Sequence, residues 1–336
     1  MMNRSGKDMD TMVKQKEPLV SIVIITYNSV EFVQETLESI GLQTYKNIEL
    51  IVSDDGSKDD TVTICKVWIA KHACRFVRTQ VITVEKNTGL PANCNRGVKA
   101  ASGEWVKIIA GDDILDEKCI ELNVDFIRSK GFPAIIVLSN MMSFVDKQEY
   151  HKNGKLIILN NIFLFKDPVN SKIQHRYAIR RYIGNTPTLF ISKQILDDIE
   201  FDERFPFQED RPFAINATKK GYSFHYLNEN TVYYRISESS VFASKSSKVL
   251  FNNFYIRRRP FVIEYIYPHL TSFERFLNTW EFNRVRILDR LGLNKNNIVC
   301  KIISAVTCRV NPLWIVTKIQ QKRESQESYW KKFVKN

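Results

Sequence analysis

The 336-residue chain has no apolar run approaching the ~20 residues that span a bilayer, so no transmembrane helix is legible in it. Its first 17 residues are polar and charged with no apolar core, so no secretory signal is visible and a disordered leader is expected. None of the six cysteines, Cys65, Cys74, Cys94, Cys119, Cys300 and Cys308, pairs with another at C-x-x-C spacing. That leaves no zinc or redox motif, and they read as reduced, partly buried thiols of a cytosolic protein. The absence of G-x-x-x-x-G-K-[ST] argues against a P-loop NTPase, and the absence of G-x-G-x-x-G against a dinucleotide-binding oxidoreductase. There is no internal repeat.

What the chain does have is a core and an uneven charge. Hydrophobic residues make up 44% and aromatics 12%, the composition of a globular protein with one large domain or two. The formal charge is +12. From Phe254 to Asn336 there are 16 Lys/Arg against 6 Asp/Glu, leaving 33 against 31 for the first 253 residues. The front is near neutral and the tail basic, and such tails usually meet phosphate, in nucleic acid or at an anionic membrane.

Leu19 to Thr26 is a β-branched run, read as a central parallel strand. Asn28 or Ser29 is placed to cap a following helix with the apolar face Val30, Val33, Leu37 and Ile40. Strand 48–53, helix 60–72 and strand 80–85 continue an alternation that predicts an α/β fold with a parallel sheet. A short helix ending at Ser102–Gly103 follows, then helix 117–129 and strand 134–139. Residues 140–184 have weak periodicity and read as a variable, partly helical insert. A strand is expected over 185–192, a loop over 201–210, and a helix over 211–220 capped by Gly221. Strands near 223–227 and 230–235 complete the core, before a mostly helical tail.

The pivotal stretch is Glu104 to Asp116. The strand-like run Trp105 to Ala110 ends at Gly111 and is followed at once by Asp112 and Asp113. Open α/β sheets bind ligands at the C-terminal ends of their strands. Two adjacent carboxylates there suit a divalent cation, with oxygen ligation favouring Mg2+ or Mn2+; Gly-Asp-Asp is also ordinary turn chemistry. Tyr27-Asn28 and Asp54-Asp55 fall at two further strand ends. An aromatic platform, an acid able to accept a base N–H, and a metal-binding pair together suit a nucleoside diphosphate.

Four ordered segments carry a resemblance: V-S-I-V-I-I-T-Y-N, I-E-L-I-V-S-D-D-G-S-K-D-D-T, N-T-G-L-P-A-N-C-N-R-G-V-K-A-A-S-G-E-W-V, and I-A-G-D-D. The stretch from Val20 to Asp113 resembles glycosyltransferase family 2, with the GT-A fold. The resemblance implies a mostly parallel central sheet flanked by helices. It also implies a nucleotide-sugar donor, Mn2+ or Mg2+, and inversion at the anomeric carbon. By the same likeness Tyr27 packs on the donor base, Asp55 contacts its edge, Asn28 and Asn95 join the donor set, and Asp112 and Asp113 serve ribose and metal. Two positions depart from the pattern: Ala110 stands where many members have an acid, and Cys94 where many have Arg. A phosphate contact by that arginine is then absent or displaced to Arg96. Glu209-Asp210 resembles the family's catalytic acid pair, with Asp210 as base; an acid pair also suits a helix N-terminus. Thr231 to Ser240 resembles the closing Tyr-Arg…Ser segment, in which Arg235 either reaches a diphosphate or serves as a structural ion-pair partner.

The expected organisation is a leader (1–17), a GT-A domain (18–249) with donor (18–139) and acceptor (140–249) halves, and a basic, aromatic, helical extension (250–336). The expected function is transfer to a hydroxyl of a glycan or lipid-linked acceptor in bacterial surface-polysaccharide synthesis. The expected location is cytoplasmic, peripheral at the inner membrane face. In the tail, Arg257–Arg259 form a basic cluster. Ile298, Val299, Ile302, Ile303 and Val306 recur at helical spacing before Pro312, and Trp314, Trp330 and Phe333 lie among Lys322, Arg323, Lys331 and Lys332. That stripe either meets an anionic membrane or packs on the catalytic domain. The competing functions are a sugar-phosphate nucleotidyltransferase, which would want a glycine- and arginine-rich loop after the first strand, and a nucleic-acid-binding protein, whose phosphates Asp54, Asp55, Asp112 and Asp113 would repel.

Overall fold

A computed structural model describes residues 17–131, 133–145, 155–157, 159, 161–236 and 257–309, then 316, 318–319, 322–323 and 326–331. The expected leader apart from Glu17 lies outside the described residues, as do Ser237–Ser240, Pro312, Trp314, Lys332 and Phe333.

In chain order the main elements are β1 (Val20–Thr26), α1 (Val33–Gly41), β2 (Ile48–Asp54), α2 (Thr61–His72), β3 (Arg78–Thr83), α3 (Leu90–Ala100), β4 (Trp105–Ala110), β5 (Ile114–Leu115) and α4 (Cys119–Ser129). The second half supplies β6 (Ile136–Phe144), β7 (Lys155–Ile157), α5 (Ser171–Arg180), β8 (Phe190–Ser192), α6 (Lys193–Asp198), α7 (Asp210–Lys219) and β9 (Phe224–Arg235). Beyond lie α8 (Ser272–Arg290), α9 (Ile298–Arg309) and α10 (Glu327–Lys331).

The strands form one sheet in the order β3-β2-β1-β4-β8-β6-β9-β5, with β7 on β6. The first four are parallel, as expected. β8 then runs antiparallel to both β4 and β6, β6 and β9 are parallel, and β5 closes the edge antiparallel to β9. The sheet is therefore mixed beyond β4. Its interior strands are covered on both faces, which is why they read as unbroken apolar runs. β1 sends Val23 and Ile25 towards α3 and α7, and Ile22 and Ile24 towards α1, α2 and α4. Each such side chain, fully buried, contributes about 1.5–3 kcal/mol. A Cβ at Gly97 would fall 2.3 Å from Val23 Cγ1, so α3 lies flat on the sheet only because that residue is glycine.

Several expectations need correction. α1 starts at Val33 with no side-chain cap; the Ser29 carbonyl accepts the Phe32 and Val33 amides instead. The strand expected over 185–192 is only Phe190–Ser192, because Pro187 sits in a 3-10 turn over Thr186–Thr188. The two strands expected over 223–235 are one, β9, with register shifts opposite Ser139–Met141 that absorb the polar Asn228 to Asn230. In the presumed insert, β6 continues to Phe144 and α5 is a full helix N-capped by Asn170. α7 does end at Gly221, at a φ of 97°.

The extension is anchored at both ends. A capping box of Thr271 and Glu274 opens α8, and Arg180 pairs with Glu274 at 3.0 Å. Trp330 is buried with its ring 5.0 Å from that of Tyr177, so it belongs to packing and not to an exposed aromatic set. The α9 stripe behaves differently. Cys300 and Ser304 are buried, while Ile298, Val299, Ile302 and Val306 face outward, Ile298 being 73% exposed.

Candidate active site

The turns after β1, β2 and β4 meet at one edge of the sheet. Tyr27 leaves β1 as a residue 48% exposed. Asn28 follows at a φ of 49°, a left-handed conformation that Asn tolerates better than most residues. Its amide donates to Ser57 Oγ at 2.8 Å and its Oδ1 accepts the Lys58 amide at 2.8 Å, lacing the first turn to the second.

Asp54 and Asp55 are both saturated. Asp54 accepts from the Thr26 and Thr83 hydroxyls, the Gly56 and Ser57 amides and the Ser57 hydroxyl. Asp55 accepts from the Thr88 amide (3.0 Å) and hydroxyl (2.5 Å), the Gly89 amide (2.9 Å) and Arg96 Nη2 (2.9 Å). Burial alone would raise its carboxyl; Thr88, Arg96 and the Gly89 amide outweigh it and leave it below the usual carboxylate range. A carboxylate has about four acceptor sites, and these donors fill them. Asp55 thus holds the Asn87–Gly89 turn, where a base-edge contact had been expected. Arg96 Nη2 is held by the same contact, together with Asn93 Oδ1 at 2.9 Å.

Asp112 and Asp113 are the opposite case. Asp113 is buried: Oδ1 accepts the Arg235 amide at 2.9 Å, and Oδ2 has no partner at all. Asp112 is half-buried. Burial pushes the Asp112 carboxyl up, and burial with the charge of Asp112 pushes Asp113 well up. Among the described residues no three His, Cys, Asp or Glu side chains cluster closely enough to cage an ion. Mg2+ and Mn2+ do not need such a cage, since one or two carboxylates plus substrate phosphates suffice. An adjacent acid pair with one orphaned buried oxygen fits that mode.

Two other expected donor residues have structural work. Arg235 Nε donates to the Asp112 carbonyl at 2.8 Å and Nη2 to Glu35 at 2.6 Å, with the guanidinium between the Phe32 and Phe144 rings at 4.4 and 4.6 Å. It is a buried clamp behind the acids, the ion-pair alternative. Asn95 accepts the Phe201 amide at 2.8 Å and donates to the Phe201 carbonyl at 2.9 Å and to Glu203 at 2.8 Å. It fastens α3 to the acceptor-side loop, and the Leu90 amide reaches Pro206 O at 3.3 Å in the same seam.

That loop delivers Glu209 and Asp210 to the first turn of α7. Glu209 Oε1 accepts from Thr186 Oγ1 at 2.8 Å, and Asp210 Oδ1 from the Arg211 amide at 2.6 Å. Burial raises both carboxyls, and the charge of Glu209 helps push Asp210 up to about 8. Tyr234 feels acids of both pairs: burial, then Asp113, Asp112 and Glu209, push its phenol up to about 12. Sequence reasoning missed Tyr234, although it lies beside the quoted Arg235, and missed Thr186, which has no local signature.

The profile of glycosyl transferase family 2 matches residues 21–193 of this chain. The chain belongs to glycosyl transferase family 2. This glycosyltransferase is 27% identical to the glycosyltransferase GlyG of Streptococcus pneumoniae over 231 residues, 66% of this chain and 72% of that protein. Its fold matches S. aureus TarS 1–349 in complex with UDP-GlcNAc with a TM-score of 0.55, at 24% identity over 73% of this chain and 66% of that one. It also matches the mannosyltransferase PcManGT from Pyrobaculum calidifontis, in complex with GDP-Man and Mn2+, with a TM-score of 0.52 at 14% identity over 92% and 85%. These likenesses establish the GT-A fold. No helix among the described residues is long and apolar enough to cross a membrane.

Proposed function

We propose that this glycosyltransferase moves a sugar, with inversion, from a nucleotide-sugar donor to a hydroxyl of a glycan or lipid-linked acceptor in surface-polysaccharide synthesis. The observation that carries the reading is the adjacent pair Asp112 and Asp113 at the end of β4, with a buried Asp113 oxygen that has no partner; the charges of both, and of Glu209, also act on Tyr234. It supports a reading in which a metal-suited pair and a base-suited pair serve one site, the arrangement that direct displacement needs. Mn2+ or Mg2+, held by Asp112 and Asp113, would supply positive charge at the leaving nucleoside diphosphate. Tyr27, exposed at the rim, stacks on the donor base. Asp210 takes the proton of the acceptor hydroxyl, a poor nucleophile until it is deprotonated. Glu209, fixed by Thr186, adds the negative charge that helps hold the Asp210 carboxyl up. The GT-A neighbours crystallised with UDP-GlcNAc and with GDP-Man and Mn2+ support a donor and metal of these classes.

The outward α9 stripe and the 16 cations of the tail support a peripheral position on the anionic inner face of the membrane. Neither competing function accounts for the second acid pair.

Titration of a nucleotide-sugar panel with and without Mn2+ tests the central claim. At least one donor should bind only with metal, and Asp112→Asn should abolish that binding without lowering the thermal unfolding midpoint. Binding by Asp112→Asn and Asp113→Asn equal to the parent's would overturn it.

A further inference from the structure

Resting on the reading of Glu209 and Asp210 as the base pair, one buried cation bears on what holds them in place. Lys107 is the single charge in the apolar run of β4, and it is the one lysine buried among the described residues. Side chains alternate along a strand, so Lys107 shares a face with Trp105 and Ile109. Those two belong to the apolar layer that also holds Phe190, Cys119, Ile120 and Val124. Taking an ammonium out of water into such a layer costs stability unless it is bonded there.

The bond it makes is to the acceptor side. Lys107 Nζ donates to the Pro187 carbonyl at 2.6 Å. Pro187 is the middle residue of the 3-10 turn over Thr186–Thr188, which the Thr188 and Leu189 amides close on the Asn185 and Thr186 carbonyls at 3.0 Å each. Its neighbour Thr186 donates from Oγ1 to Glu209 Oε1 at 2.8 Å. Two hydrogen bonds, through adjacent residues of one turn, therefore join β4 to Glu209. The turn leads into β8, where Phe190 lies opposite Lys107 across the ladder. At its other end β4 stops at Ala110, and Gly111 alone separates it from Asp112 and Asp113. Burial pushes the Lys107 ammonium down from the usual lysine value, and the charges of Cys119 and Asp113 act against that.

We propose that Lys107 is a positioning residue for the transfer step: it pins the 186–188 turn through Pro187, and Thr186 in that turn fixes Glu209 beside Asp210. One rigid strand thereby sets both acid pairs, the metal-suited pair through its C-terminal end and the base-suited pair through this lysine. An apolar side chain at 107 fills the layer but leaves the Pro187 carbonyl without its donor.

The test reads hydrogen exchange and turnover on the full chain carrying Lys107→Met, Lys107→Gln, Thr186→Val or Thr186→Ser; the two lysine variants guard against one of them failing to fold. In both, the Thr188 and Leu189 amides should exchange about tenfold faster or more, the loss of one charge-assisted hydrogen bond, while the β1 and β2 amides keep the parent's protection. Turnover is measured with Mn2+, each nucleotide sugar of the panel above in turn, and water as acceptor. The Lys107 variants and Thr186→Val should each lower kcat about tenfold or more with donor affinity unchanged, and Thr186→Ser, which keeps the hydroxyl, should recover most of that loss. Lys107→Met and Thr186→Val together should be no slower than the slower of the two alone, because both break one chain of contacts. Additive losses, parent-like exchange at Thr188 and Leu189, or a lowered unfolding midpoint with parent-like kcat would overturn the proposal. So would loss of Mn2+-dependent donor binding in a Lys107 variant, since the lysine would then serve Asp113. A parent that turns over no nucleotide sugar refutes the transferase reading instead, and the exchange of Thr188 and Leu189 still decides whether Lys107 holds the turn.

Discussion

The turn after β2 and the turn after β4 each present two adjacent aspartates beside a glycine at the same edge of the sheet. One pair is closed and the other open. Asp54 and Asp55 are ringed by amides, hydroxyls and Arg96, whereas Asp113 keeps an oxygen with no partner and Asp112 is only half-buried. The difference teaches that a carboxylate pair is marked for chemistry by what it lacks. Glu209 and Asp210 belong with the open kind, with few donors and raised carboxyls.

The largest expected effect that would sharpen this contrast is at Asp210. Asp210→Asn should lower kcat by ~10²–10⁴-fold with donor affinity unchanged. The base must be ionised, and burial with Glu209 pushes Asp210 up to about 8. The parent's rate should therefore rise with pH towards 8, about tenfold per unit below it. A flat profile between pH 6 and 8 would remove Asp210 from the base role.

At Asp55 the effect should be on stability. Asp55→Ala strips the partner from Thr88, Gly89 and Arg96 and should cost about 1–3 kcal/mol in denaturant unfolding. The pH sign separates the pairs. Burial is outweighed at Asp55, so its folded value is depressed: its contribution is present above the unfolded value and lost as pH falls through the folded one. Asp112 and Asp113 are raised by burial, so their contribution is greatest at low pH and is lost as pH rises through their folded values. Asp55→Ala should blunt the parent's loss of stability in acid. An unchanged acid limb would break the comparison.

The smallest effect concerns two apolar helix faces. α1 and α9 carry similar stripes, yet Val33, Leu37 and Ile40 are buried while Ile298, Val299, Ile302 and Val306 are not. Each Lys or Arg near an anionic surface contributes about 1 kcal/mol, screened by salt. The full chain should sediment with anionic vesicles at low salt and be released at high salt. Equal partition onto neutral vesicles would refute the membrane position and leave the chemistry intact.

Local pattern determined much of this molecule. The β-branched runs of β1, β2 and β4 set the parallel half of the sheet, because a strand covered on both faces must be apolar throughout. The acids at Asp112–Asp113 and Glu209–Asp210 and the family itself were readable in the same way. The antiparallel β8 and the continuous β9 were not, since short strands near proline or asparagine depend on partners far away in the chain. Nor were the partners of Asp55, Asn95 and Arg235. Asp55 is quenched by Thr88, Gly89 and Arg96, which lie 33 to 41 residues further on. Arg235 is clamped to Glu35 across 200 residues. Whether a polar side chain is satisfied depends on donors that only folding brings near, so residue type and spacing set the candidates and tertiary structure decided which were left open for chemistry.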